Sequence, residues 1–360
     1  MKKFAIYLPQ FHEIPENNKW WGQGFTEWTN VKKGAPLFKG HVQPKTPLNN
    51  NYYNLLNEDT IKWQTSLMKE YGIDGLIYYH YYFQGKLMLE KPAENLIKNK
   101  DINQPFFFYW ANHTWYRSWE GTKEILLEQT YGDKSDWEKH FQYLLPFFKD
   151  ERYEKKDNMP LFMVFNTDFE CKNELLEYFD SRCKDEGFAG LYAIETFLDG
   201  KYKWPNDLNE SLANLSKCSK KLYLREANTA LNIYSSKYKF YPTKAIKRIN
   251  KTISKIFGKE KVSIYDGNTL YNLIIKEEPI NEKIIHGLFF EWDNTPRHST
   301  RGFVITPPSK EMFDKAMNHF KNEDYIFFNA WNEWAEGMML EPTEENKYKY
   351  LEWIKEYGNK

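Results

Sequence analysis

Cysteine is scarce in this chain: Cys171, Cys183 and Cys218 are the only three, an odd number without metal-type spacing. That pattern argues against a disulfide scaffold and points to a reducing compartment, with a cytoplasmic location as the expectation. Long apolar runs are missing too. No segment is apolar enough for a bilayer span, and the run at 4–8 is cut by Pro9 and Gln10 before it reaches the length of a secretion signal. Charge of one sign is not in excess: 50 basic and 50 acidic side chains cancel, which removes any global attraction for nucleic acid. A Gly-rich dinucleotide fingerprint, a Walker-type phosphate loop and an Asp-x-Asp motif are all lacking, so neither usual nucleotide-sugar arrangement is visible. No His, Asp and Glu set has the spacing of a zinc or calcium loop, and a site without metal or cofactor is expected. Linkers rich in Pro, Gly or Ser are absent as well, which leaves one domain over 1–360 as the simplest organisation.

Aromatic side chains stand in excess: 13 Trp, 26 Tyr and 26 Phe make 18% of the chain. Phe fills cores, but Trp and Tyr pair a flat apolar face with a polar edge, which suits the C–H faces and hydroxyls of sugar rings. Composition alone cannot separate core filling from sugar binding, so position along the chain decides.

Short apolar runs rich in β-branched and aromatic residues fall at 4–8, 74–79, 105–109, 161–165, 190–195, 221–224, 284–290 and 325–330. Amphipathic helical patterns fall between them, at 59–71, 92–98, 136–148, 173–186, 243–257, 269–277, 310–320 and 344–357. Eight strands alternating with helices predict an α/β fold, a (β/α)8 TIM barrel with long βα loops. In such a barrel chemistry gathers beyond the C-terminal ends of the strands. The residues there are His12, Trp21, Glu27 and Trp28 after strand one; Tyr79 and His80 at the end of strand two; and Trp110, Asn112, Trp115, Arg117 and Trp119 after strand three. Trp292, Asp293 and Arg297 follow strand seven, and Asn332, Glu333, Trp334, Glu336 and Glu341 follow strand eight. Tryptophans and hydrogen-bonding groups on one rim predict a cleft for an oligosaccharide or polysaccharide.

Glu333 and Glu336 are the expected catalytic pair, because breaking a glycosidic bond needs a proton for the leaving oxygen and electron density at the anomeric carbon. Two close carboxyl groups do not ionise equally, so one keeps its proton. Structural alternatives stand beside several of these assignments. His12 and His80 suit a hydrogen-bonded structural role as well as a sugar contact. Arg117 and Arg297 suit pairing with Glu120 or Asp293 as well as an anionic substrate. Residues 243–261 read as a basic amphipathic helix, either an outer barrel helix with solvated lysines or a peripheral contact with an anionic membrane.

Several blocks in order carry a family likeness. They are Tyr7-Leu8-Pro9-Gln10-Phe11-His12, Trp20-Trp21-Gly22, Gly24-Phe25-Thr26-Glu27-Trp28-Thr29-Asn30, Tyr78-Tyr79-His80-Tyr81 and Trp110-Ala111-Asn112. Trp292-Asp293-Asn294-Thr295-Pro296-Arg297, Asn329 to Gly337 and Leu340-Glu341-Pro342 complete the set. Over nearly its whole length the chain resembles the WbsX-like proteins, labelled glycosyltransferases of surface-polysaccharide loci and related to the glycoside hydrolase family 99 endo-α-mannosidases. The resemblance implies the barrel and a glutamate pair in Asn332-Glu333-Trp334-Ala335-Glu336-Gly337. It further implies that Glu333 assists the substrate's own 2-hydroxyl as internal nucleophile, through an anhydro sugar, while Glu336 is general acid and base. Two departures bear on the substrate. Ala335 stands where the hydrolases carry His, and Asn112-His113-Thr114-Trp115 stands where WbsX-like proteins commonly show Asn-Glu-Asn-Trp. A glycosyltransferase and a non-catalytic glycan-binding module are the alternatives, and the second has no need of the glutamate pair.

Overall fold

The computed structural model describes residues 1–117, 124–198, 203–238 and 262–358. Eight parallel strands close on themselves: β1 (Lys2–Tyr7), β2 (Gly75–Phe83), β3 (Phe106–Trp110), β4 (Met159–Val164), β5 (Tyr192–Thr196), β6 (Ser219–Leu224), β7 (Ile284–Phe289) and β8 (Tyr325–Asn329). Each pairs with the next, and β8 returns to β1 with Lys2 opposite Tyr325 and Ala5 opposite Phe328. This is the (β/α)8 barrel, and every strand overlaps the apolar run that predicts it.

Helices among the described residues are α1 (Pro15–Trp21), α2 (Glu27–Lys32), α3 (Glu58–Glu70), α4 (Lys91–Lys98), α5 (Lys134–Lys149) and α6 (Lys172–Asp185). They continue with α7 (Asn206–Ala213), α8 (Glu226–Tyr238), α9 (Gly267–Glu277), α10 (Thr295–His298), α11 (Lys310–His319) and α12 (Lys349–Gly358). Starts are fixed by short polar caps. Asp133 accepts from the Ser135 and Asp136 amides before α5, and Ser309 accepts from Met312 before α11, satisfying amides that a helix start leaves without partners. The helix expected at 243–257 lies outside the described residues, as do Trp119, Glu120 and the whole basic stretch 243–261. No helix among the described residues is long and apolar enough to cross a membrane.

Aromatic rings from several strands meet inside the barrel. Phe4 of β1 meets Phe107 of β3 at 5.2 Å between centroids, Phe107 meets Phe327 of β8 at 5.7 Å, and Phe327 meets Tyr223 of β6 at 5.4 Å. Strands that are not neighbours touch here, so these rings bridge the lumen. Room for them comes from a missing side chain: a Cβ at Gly75 would stand 2.3 Å from the Phe4 ring. Burying each ring contributes roughly 1.5–3 kcal/mol. A lumen filled this densely leaves the cleft above the strand ends as the place for a ligand.

Candidate active site

A cleft of about 390 Å³ opens above the C-terminal ends of the strands. Of the residues expected at a sugar site, Trp21, Tyr79, Trp115, Trp292, Arg297, Glu333 and Glu336 line it. Tyr81, His113, Phe165, Arg225, Asn228 and Asn329 line it too.

The loop after β8 carries the acids. Asn332 locks it to the end of β1, accepting from the Leu8 amide at 2.7 Å and donating to the Leu8 carbonyl at 3.0 Å. Asn332 and Glu333 then pair antiparallel with Met339 and Met338. Behind them sits Glu341, fully enclosed. One of its oxygens accepts from Gln64 (2.7 Å) and the Trp331 indole (2.9 Å), and the other from Tyr53 (2.7 Å) and the Trp334 indole (2.7 Å). Burial nevertheless pushes Glu341 up to about 7, the four donors opposing it.

The loop after β7 supplies the cation. Asp293 accepts from His41 (2.7 Å) and Gln43 (2.6 Å) on one oxygen and from the Thr295 amide and hydroxyl on the other. That grip fixes the start of α10, from which Arg297 projects. The two loops meet closely because Gly337 adopts φ 63°, and a Cβ there would stand 2.9 Å from the Asp293 side chain. A left-handed backbone and a close approach both favour glycine at that position. Arg297 then bridges two carboxylates, donating from Nη1 to Glu336 at 2.5 Å and from Nη2 to Glu27 at 2.5 Å. Its partners are therefore Glu27 and Glu336 and not Asp293. Burial works against the charge of Arg297, but Glu27, Glu336 and Glu333 together hold it firmly protonated.

Glu333 sits in different surroundings. It is buried, and burial first, then the nearby Glu336, with smaller contributions from Glu27 and Glu226, raises it from 4.5 to about 8 against the pull of Arg297. At neutral pH it carries a proton, while Glu336, a quarter exposed along its side chain, lies directly on the guanidinium. A buried carboxyl that burial keeps protonated beside a second carboxyl bonded to a guanidinium gives two unlike acids in one cleft, which acid and base work requires.

Other expected contacts stand behind the cleft wall. Strand alternation explains two of them: Tyr79 and Tyr81 of β2 face the cleft, so His80 between them points outward to α5, where its Nε2 meets the His140 Nε2 at 2.8 Å. Trp110 likewise packs on His140 and Tyr131. Asn112 ties the loops after β3 and β4 through the Asn166 amide (2.6 Å) and carbonyl (2.8 Å). Trp28 donates to the Tyr53 carbonyl at 2.8 Å and packs against Trp334. Asn332, Trp334, Asp293 and Glu341 hold the loops as described, and Glu27 reaches the cleft only through Arg297. His12 is buried after β1, where burial brings it down to about 4. Arg117 pairs with Glu124 at 2.8 Å and lies over Trp21.

Arg225 and Asn228 lie in and next to the start of α8, a helix whose three-residue apolar spacing is interrupted by Asn and Ser and gives little signal. Arg225 lies over the Phe165 ring at 4.9 Å. A cue for both was available in their position immediately after a strand end. Among the described residues no three His, Cys, Asp or Glu side chains converge as a metal site would need.

Similarity to known proteins follows the same lines. The barrel superposes on the GH99 endo-alpha-mannosidase from Bacteroides thetaiotaomicron, with a TM-score of 0.54 at 13% identity, covering 99% of this chain and 96% of that one. A second solved structure, a glycoside hydrolase-like protein, gives 0.58 at 11% identity over 99% of this chain and 93% of the other. At these identities the likeness shows the fold. A curated protein, WxcX of Xanthomonas campestris pv. campestris strain B100, described as uncharacterized, is 27% identical over 365 residues, covering 97% of this chain. The chain spans about half the length of that relative, 48%. The family model described as Glycosyltransferase WbsX matches residues 3–354, and the chain belongs to that family.

Proposed function

We propose that the chain cleaves a glycosidic bond in a surface-type glycan, with Glu333 and Glu336 as its acid and base. Membership of the WbsX family and the shared barrel support the coarser statement, that it is a carbohydrate-active enzyme acting on glycans. The observation that carries the finer reading is the pair itself: two glutamates lining one cleft, one buried, the other bonded to a guanidinium.

The site chemistry runs as two displacements. In the first, an ionised carboxylate takes the proton of the substrate's 2-hydroxyl as that oxygen attacks the anomeric carbon. The protonated carboxyl gives its proton to the leaving oxygen, and an anhydro sugar forms. Water then opens the anhydro ring at the anomeric carbon, giving one proton to the ionised donor while the base returns its own to the 2-oxygen, and the configuration is retained. The resemblance implies Glu333 as the base of the first step. The electrostatics favour the reverse order, because the cation lies on Glu336 and leaves Glu333 with the proton. We therefore take Glu333 as the proton donor and Glu336 as the base. Trp21, Trp115 and Trp292 offer faces for sugar rings, and Tyr79, Tyr81 and Asn329 offer polar edges.

The test uses Glu333→Gln and Glu336→Gln on glycans with ordinary and activated leaving groups. Each variant should bind glycan and lose turnover by orders of magnitude on the ordinary substrate. Only Glu333→Gln should recover on the activated one, since a good leaving group needs no proton. Near-native turnover in either variant removes that residue from the chemistry. Recovery by Glu336→Gln restores the order implied by the resemblance. A second reading, transfer of a sugar to an acceptor, is favoured by the family's description; product formed only when a nucleotide sugar is supplied would establish it.

A further inference from the structure

We propose that Glu27, which lies outside the cleft, is a positioning residue for this chemistry: through Arg297 it commits the site's cation to Glu336 and away from Glu333. The proposal rests on the acid and base reading of that pair.

Three carboxyl groups, Glu27, Glu333 and Glu336, lie around one guanidinium, which bonds to two of them. Arg297 spends one terminal nitrogen on Glu27 and the other on Glu336, both at 2.5 Å. A planar fork with separate nitrogens can bridge two acids in this way, whereas a lysine ammonium on a flexible stem does not hold the same orientation. Glu27 is the anchor of the bridge. Its side chain is 0% exposed, so as a charge it must be paired, and its backbone is fixed at the start of α2 by donation to the Gln10 carbonyl at 3.0 Å. Its second oxygen takes only a long contact from Asn30, at 3.4 Å. Anchored on one side by Glu27 and carried on a helix whose first residue, Thr295, is bonded to Asp293, Arg297 has its remaining terminal nitrogen aimed at Glu336.

The charged and titratable groups around Glu333 make the consequence definite. Glu336, Glu27 and Glu226 place negative charge near it, and Arg297 is the opposing charge. Tyr79 and Tyr81 face it with hydroxyls that burial keeps neutral. Glu226 is itself held by the Tyr223 hydroxyl (2.6 Å) and the Asn329 amide (2.7 Å). Arg225 lines the same cleft, and His298 and Arg301 stand on the Glu336 side, with burial keeping His298 low. Removing the charge of Glu27 takes one negative neighbour from Glu333 and frees a nitrogen of Arg297.

The experiment is a carbon-13 NMR titration of side-chain carboxyls in the unliganded, full chain, with the Glu333 signal assigned by its absence in Glu333→Gln. In Glu27→Gln the Glu333 midpoint should fall by ~1 pH unit, and the alkaline limb of the pH–rate profile should fall with it. Glu27→Asp, which keeps the charge, should restore both toward the native values. Arg297→Lys keeps the charge without the fork and should raise the midpoint. An unmoved Glu333 midpoint in Glu27→Gln and Arg297→Lys overturns the proposal, as does a loss of turnover without any shift of the profile, which a purely structural role gives. The titration needs no substrate. A shifted midpoint in a protein that cleaves no glycan would therefore overturn the reading of the reaction and leave standing the control of Glu333 by Glu27 through Arg297.

Discussion

Glu333→Gln should make the protein more stable in alkali, and the effect is large enough to measure. In the folded chain Glu333 rises from 4.5 to about 8, burial being the main cause. A carboxyl raised in this way binds its proton more tightly folded than unfolded. Its contribution to stability is full below pH 4.5 and is lost as pH climbs toward 8. Each pH unit of that interval is worth about 1.4 kcal/mol. Coupling to Glu336 and water in the open cleft reduce the total, leaving on the order of 2–3 kcal/mol. Glutamine has nearly the shape of protonated glutamate and no charge to lose. Urea unfolding at pH 5 should therefore give similar stabilities for the two proteins, and at pH 8 the variant should be ahead by about that amount. In thermal unfolding the same gap is about 5 °C, at roughly 2 °C per kcal/mol for a chain of this size. Parallel pH dependence in the two proteins would refute a buried, protonated Glu333, and with it the order of roles assigned to the pair.

Glu341→Ala should cost about 3–5 kcal/mol in urea unfolding, because Tyr53, Gln64 and two indoles are left without an acceptor; a loss under about 1 kcal/mol would mean the four donors find other partners. The neutral His80 and His140 pair is brought down by burial, His80 to about 3. The native chain should thus lose stability as pH falls below 6.5, and a flat profile between pH 6.5 and 4 would count against that pairing. Cleavage should yield the retained anomer by proton NMR, and a substrate with fluorine in place of its 2-hydroxyl should bind and resist cleavage; an inverted first product or a glycosylated glutamate in mass spectrometry would sink the internal nucleophile.

The barrel was legible in the sequence because its signal is local. Buried parallel strands read as short apolar runs, and all eight sit where such runs predict them. Helices without a clean apolar stripe were not legible. In α8, Asn228, Asn232 and two serines break the pattern, and α1 and α2 are too short to carry one. The site was legible as a rim but not as a surface. Sequence position brings Tyr79, His80 and Tyr81 to the same strand end, yet only the register of β2 against its neighbours decides which of them face the cleft. Asp293 and Glu341 look like sugar ligands by residue type. Four of their donors, His41, Gln43, Tyr53 and Gln64, lie some 250 to 290 positions away in the chain, and nothing local announces them.

Glu341 and Glu333 together show how one loop ties up one glutamate in structure and leaves another open to the cleft. Both are enclosed after β8, and burial raises both, to about 7 and about 8. Glu341 meets four neutral donors, which fill its lone pairs and leave it no oxygen to offer a ligand. Glu333 lines the open cleft, and the nearest cation is spent on Glu27 and Glu336. The donors make Glu341 a fixed point from which Trp331 and Trp334 hang, and the loop between those tryptophans is the one that presents Glu333. Rigidity of the Glu333 carboxyl therefore comes from a second carboxyl whose own bonds are complete, while its proton is kept by burial, the nearby cation being committed elsewhere.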